Sequence, residues 1–166
     1  GDPADLIVVN NLTDFKVQQT YIEGRLVADG GKSLIERVDA SIVNNFNTSR
    51  KHVSDFQVNV EFDGTPQIRV IKALEGQLIT EELHQPGKLL DAKLISNTDN
   101  DVLKIAVVER YGNSKPAVGF IRNFGLQKGA IASCVAHDSH NIIAVGVSDE
   151  DICNAVNGII DYNGGI

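Results

Sequence analysis

Two histidines, an aspartate and a serine stand within four residues in the stretch ASCVAHDSHNIIAVG, as His137, Asp138, Ser139 and His140. Imidazoles and a carboxylate can hold a divalent metal or pass protons at neutral pH, provided the backbone brings them to one point. Spacing decides how far that goes. On a helix His137 and His140 share a face, but on a strand they point to opposite sides, so they are a poor metal pair by themselves. The apolar run from Ile142 to Val145 reads as a buried strand, which makes residues 137–141 a polar junction in front of it. The bland reading is a hydrogen-bonded junction; the sharper one is a contact surface or part of a site.

Arg110 is the second candidate. It follows Glu109 at the end of a β-branched run, where a guanidinium emerging from a sheet could fork onto an anion, although a local ion pair with Glu109 explains it as well. His52 and His84 are remote and have no associated cysteine or carboxylate pattern. The run FGLQKGA at residues 124–130 has two glycines but lacks the phosphate-cradling spacing, and a turn between strands accounts for it. Cys134 and Cys153 fall in different elements without metal-ligand spacing, and read as reduced structural thiols.

The elements that must position these residues are mostly strands. Leu6–Val9 reads as a buried strand, and Val17–Ile22, Glu23-Gly24 and Arg25–Val27 as a hairpin with glycine supplying the turn. Residues 33–54 have weak periodicity and an Asn-rich middle, the pattern of a linker with one short helix. Alternation over Val58–Phe62 and Ile68–Leu74 around Asp63-Gly64-Thr65-Pro66 predicts a second hairpin. Glu75-Gly76-Gln77 and Pro86-Gly87 read as turn and loop, and Leu103–Val108, Ala117–Phe120 and Ala130–Val135 as further strands. One helix is clear: Ser148 caps it, Asp149, Glu150 and Asp151 occupy its first turn, and Ile152, Val156, Ile159 and Ile160 form one apolar face before an Asn163-Gly164 stop.

The 166 residues, 42% hydrophobic and 22% charged, suffice for one domain with a core plus part of another. A net charge of −7 with scattered basic residues argues against nucleic acid as a partner. No apolar run reaches the roughly 20 residues of a membrane span, and the context reads as cytoplasmic. The sequence contains no methionine and begins Gly1-Asp2-Pro3, which is read as a piece of a longer protein. The resulting fold class is α+β: a mostly antiparallel or mixed β-sheet flanked by helices, preceded by a few strands of an incomplete β-sandwich.

At residues 109–165 the text ERYGNSKPAVGFIRNFGLQKGAIASCVAHDSHNIIAVGVSDEDICNAVNGIIDYNGG closely resembles the C-terminal region of the bacterial adenine deaminases. PQIRVIKALEGQLITEEL resembles the segment before it, and residues 1–31 look like the last strands of the small sandwich flanking the barrel in amidohydrolase-type enzymes. Tyr111 stands where the family commonly has histidine, and Cys134 where it has serine. The resemblance implies residues 1–32 as the terminal strands of that sandwich, and residues 33–166 as the adenine deaminase C-terminal domain, truncated at its C-terminal end. It implies a parent enzyme that hydrolyses adenine to hypoxanthine and ammonia, with a divalent metal, manganese or iron, held in an upstream (β/α) barrel. None of those metal ligands is assignable in this chain, so the fragment alone is expected to be inactive, and to hold no cofactor. Expected partners are the barrel, adenine as substrate of the parent, and further copies in a homo-oligomer. His137, Asp138, Ser139, His140 and Arg110 are then the candidates for facing the site or an interface. Two other readings stay open: a non-catalytic assembly or binding module, and an independent small metalloprotein in which His52 or His84 joins His137, Asp138 and His140.

Overall fold

In the computed structural model, which describes residues 1–41, 43–61 and 64–166, β1 (Leu6–Val9) lies antiparallel on β2 (Val17–Ile22). The chain then turns at Glu23-Gly24 into β3 (Arg25–Asp29) and at Gly30-Gly31 into the short β4 (Lys32–Ser33). All four turn residues have positive φ, between 49° and 82°, the backbone of tight two-residue hairpins whose twist matches that of the strands. The sheet order is β1-β2-β3-β4. These strands belong to the first of two compact units, Gly1–Val43. Leu6, Ile7 and Val8, read from the sequence as buried, are each more than 40% exposed, because both faces of this strand carry apolar residues and no described residue of the unit covers them.

The second unit, Asn44–Ile166, contains β5 (Val58–Asn59), β6 (Gln67–Ala73), β7 (Thr80–Pro86), β8 (Lys88–Leu90), β9 (Lys93–Ile95), β10 (Val102–Val108), β11 (Ala117–Arg122), β12 (Ala130–Ser133), β13 (Ile142–Gly146) and α1 (Asp149–Asp161). Six strands form a sheet in the order β12-β13-β10-β11-β6-β7, and β5-β9-β8 form a small second one. All pairings are antiparallel except β11 on β6.

The hairpin expected of Val58–Phe62 with Ile68–Leu74 does not form. Val58 pairs with Leu94 of β9, while β6 pairs with β7 and β11; Phe62 and Asp63 lie outside the described residues. Alternation fixes which side chains share a face but leaves the partner strand open, and here a nonlocal partner wins because Val58 and Val60 pack with Leu94 and Val70 in one core cluster. The segment read as a linker also differs. Its described residues hold no α-helix, only the start of a 3₁₀ turn at Val53–Phe56, and its second half packs into the second unit: Phe46 lies on the core and Lys51 is buried.

Strand β10 is the spine of the large sheet. Val102, Lys104, Ala106 and Val108 point to one face and are all buried. On that face Ala106, Val108, Ile142 and Ala144 meet Ile152, Val156, Ile159 and Ile160 of α1, and burying each such branched aliphatic contributes about 1.5–3 kcal/mol. Ser148 caps the helix, its Oγ accepting the Asp151 N–H at 3.0 Å. At the other end Asn163, at φ 54°, lets its N–H reach the Ile160 carbonyl and the Gly164 N–H the Ile159 carbonyl. That double closure is a Schellman stop, as the Asn163-Gly164 pair predicts.

Candidate functional site

After β12 ends at Ser133, the chain closes a turn in which the His140 N–H bonds to the Ala136 carbonyl at 2.9 Å, with His140 at φ 53°. His137, Asp138, Ser139 and His140 are all exposed. The polar junction read between the flanking apolar runs is an exposed turn, because the two runs are separate strands, β12 and β13, and the polar residues are their connection. His137 Nδ1 and Asp138 Oδ1 lie 2.8 Å apart with both side chains over 90% exposed, a solvated pair of small energetic weight.

Arg110 is brought to the base of this turn. Its backbone N–H donates to Asn141 Oδ1 at 3.3 Å and its carbonyl accepts the Asn47 N–H at 2.7 Å. Tyr111 Oη donates to the Ser139 carbonyl at 3.0 Å. The guanidinium lies 5.4 Å from the Phe46 ring centre and 5.1 Å from that of Tyr111, with Nη2 donating to Asn44 Oδ1 at 3.2 Å. Neither an ion pair with Glu109 nor any other carboxylate partner of Arg110 occurs among the described residues; cation–π contact and an amide hold it instead. Its Nε is buried without a hydrogen-bond partner. The structure thus joins Arg110 and Ser139 through Tyr111 and Asn141, and leaves the His137 and Asp138 side chains in solvent. His84 sits on β7 beside Glu82, and the His52 N–H bonds to Asp55 ahead of the 3₁₀ turn.

The buried polar groups are elsewhere. Lys104 is 1% exposed at the sheet centre, its Nζ donating to the Phe56 carbonyl at 3.2 Å and pairing with Asp149 in the first turn of α1. Asn157 of α1 grips the Lys51 backbone, donating to its carbonyl at 3.0 Å and accepting its N–H at 2.8 Å. Sequence reasoning passed over both, although Lys104 has the same parity as Val102, Ala106 and Val108 and so had to face inward. Cys134 and Cys153 are free and buried. Cys134 Sγ accepts the Gly165 N–H at 3.2 Å, and Cys153 donates to the Lys51 carbonyl at 3.3 Å. Burial, followed by the nearby charge of Asp55, pushes the Cys153 thiol up from its usual 9.0, which suits a structural thiol more than a nucleophile.

Among the described residues no three His, Cys, Asp or Glu side chains converge to hold a metal ion. Nor, among the described residues, is any helix long and apolar enough to cross a membrane. Fold and site together define an α+β domain whose polar groups mainly fasten the sheet, the helix and the 44–57 segment to one another. The chain belongs to the family described as the adenine deaminase C-terminal domain, whose profile matches residues 77–166. It is 52% identical over 166 residues to a protein named adenine deaminase from Sulfurovum sp. (strain NBC37-1), and 47% identical over 167 residues to one from Borreliella burgdorferi. A third, from Methanosarcina barkeri, is 45% identical over 172 residues. Each match takes in the whole of this chain, but the chain spans only 29–31% of the length of these curated relatives.

Proposed function

We propose that this chain is the C-terminal part of an adenine deaminase, and that the whole enzyme hydrolyses the exocyclic amine of adenine to give hypoxanthine and ammonia in purine salvage. The carrying observation is the match of the entire chain, at 45–52% identity, to relatives that bear this name. The divalent metal expected of such an enzyme, manganese or iron, finds no fitting ligand set among the described residues: His137 and Asp138 point into solvent as a pair and no third described ligand converges on them. We therefore place its ligands in polypeptide outside this chain, in the upstream (β/α) barrel. The same geometry gives no support to an independent metal centre on His137, Asp138 and His140.

In this reading the chain contributes structure. Lys104, Asp149 and Asn157 tie sheet, helix and the 44–57 segment into one body, and His137 to His140, with Arg110 behind them, form an exposed edge available to the barrel or to another subunit. Homo-oligomers and a cytoplasmic setting belong to the same proposal, with no role for nucleic acid or membrane. The experiment is direct. The purified 166-residue chain supplied with manganese or iron is expected to form no hypoxanthine from adenine, and the full-length protein to form it under the same conditions. Hypoxanthine production by the chain alone, or its absence with the full-length protein, overturns the reading.

A further inference from the structure

The two faces of the six-stranded sheet are treated differently. On the face under α1, Ala106, Val108, Ile142 and Ala144 are fully buried. On the opposite face the cross-strand rows Ile131, Val145, Ile105 and Ser133, Ile143, Val107 run over β12, β13 and β10. In those rows Val145 is buried beside Leu103 and Ile121, while toward the β12 side and the end of β10 Ile131 is 48%, Ile143 36% and Val107 37% exposed. Gly119, next in the first row, has no side chain to fill the surface. A shallow hollow of about 280 Å³ lies here, bounded by Phe124 and Val135, and no residue lining it is charged. A contiguous, uncharged, β-branched sheet face of this kind is what soluble proteins cover.

We propose that this face is the docking surface for the part of the adenine deaminase polypeptide that lies outside the chain; the inference rests on the reading of the chain as the C-terminal part of such an enzyme. Three observations choose that occupant over a second copy. More than two thirds of each relative's length lies outside the match, and a tethered segment meets the face at an effective concentration on the order of millimolar. Two copies, each at net charge −7, repel on approach, and the uncharged face supplies no opposite charge to set against that repulsion. The hollow also runs through Val135 and Ala136 into the polar turn 137–140, so an apolar centre passes directly into a polar rim, the anatomy of a specific interface.

Cysteine accessibility tests this. Ile131→Cys, Ile143→Cys and, off the face, Leu78→Cys, whose position is fully exposed, are prepared in the 166-residue chain and in the full-length protein. Labelling by N-ethylmaleimide is then followed at each introduced thiol by peptide mass spectrometry; the native Cys134 and Cys153 are buried. In the 166-residue chain all three thiols are expected to label readily. In the full-length protein the two face positions are expected to slow by about tenfold or more while Leu78→Cys is unchanged, since thiol labelling follows access. Equal rates in the two proteins overturn the proposal, as does equal slowing at all three positions. Protection already present in the 166-residue chain that fades on dilution overturns it in favour of a second copy. Adenine deamination by the unsubstituted full-length protein is measured alongside: protection without deamination sinks the functional reading alone, and deamination without protection sinks the docking surface alone.

Discussion

Lys104 and Asp149 show what the sequence offered at the scale of single residues and what it withheld. The eye goes to clustered histidines, yet His137, Asp138 and His140 lie in solvent, while the one lysine inside the run VLKIAVV is the charge that the fold had to solve. Its parity was legible; its partner was not, because Asp149 lies 45 residues away and a first-turn aspartate is already explained by the helix dipole. Asp149 serves both ends, facing the helix N-terminus and neutralising a buried ammonium. Removing one partner of such a pair costs about 3–5 kcal/mol by leaving an unpaired charge behind, whereas replacing both by neutral groups can be close to neutral. Asp149→Asn is therefore expected to destabilise the chain strongly in urea titration, and Lys104→Met combined with Asp149→Asn to recover most of the loss. Additive losses in that cycle would show that the two side chains do not act as a pair.

At the scale of elements, local signals were read well where neighbours in sequence are neighbours in space. The β2–β3 turn at Glu23-Gly24, the strands β10 to β13 and both ends of α1 fall where turn chemistry and periodicity place them. Strand β7 was missed because TEELHQP is polar apart from Leu83 and Pro86: as an edge strand it buries little, and only its pairing with β6 defines it. Helix α1 and the neighbouring strand β12 leave no room for a side chain at residue 146 unless something shifts. A Cβ there lies 2.6 Å from Ile152 Cγ1 and 2.7 Å from Ala130 Cβ, and Ile152 is fully buried with nowhere to retreat. Gly146→Ala is expected to cost about 1–3 kcal/mol through overpacking. Gly158→Ala, inside the helix with open space around it, is expected to gain about 0.5–1 kcal/mol from helix propensity. Thermal or urea unfolding of the two variants reads both signs at once, and a stabilising Gly146→Ala would mean that the helix stands further from β13 than these distances say.

The whole molecule divides into units with different means of support. None of the described residues of Gly1–Val43 is buried, whereas Asn44–Ile166 contains all three clusters of buried core residues. A four-stranded meander with bare apolar faces depends on turn geometry and backbone pairing alone, and such sheets need a covered hydrophobic face to be stable by themselves. The central strands of the second unit lie between a helix-covered face and two flanking strands, so their amides open only when the unit unfolds. The opening free energies of the two sets should therefore differ by most of the second unit's stability. In hydrogen exchange on the 166-residue chain in dilute solution, amides of residues 5–27 are expected to exchange at least about 100-fold faster than those of residues 102–108 and 142–146, the ratio reporting local against global opening. Matching protection in both sets would mean that the first sheet draws its stability from burial that its own side chains do not show, and that the two units unfold as one.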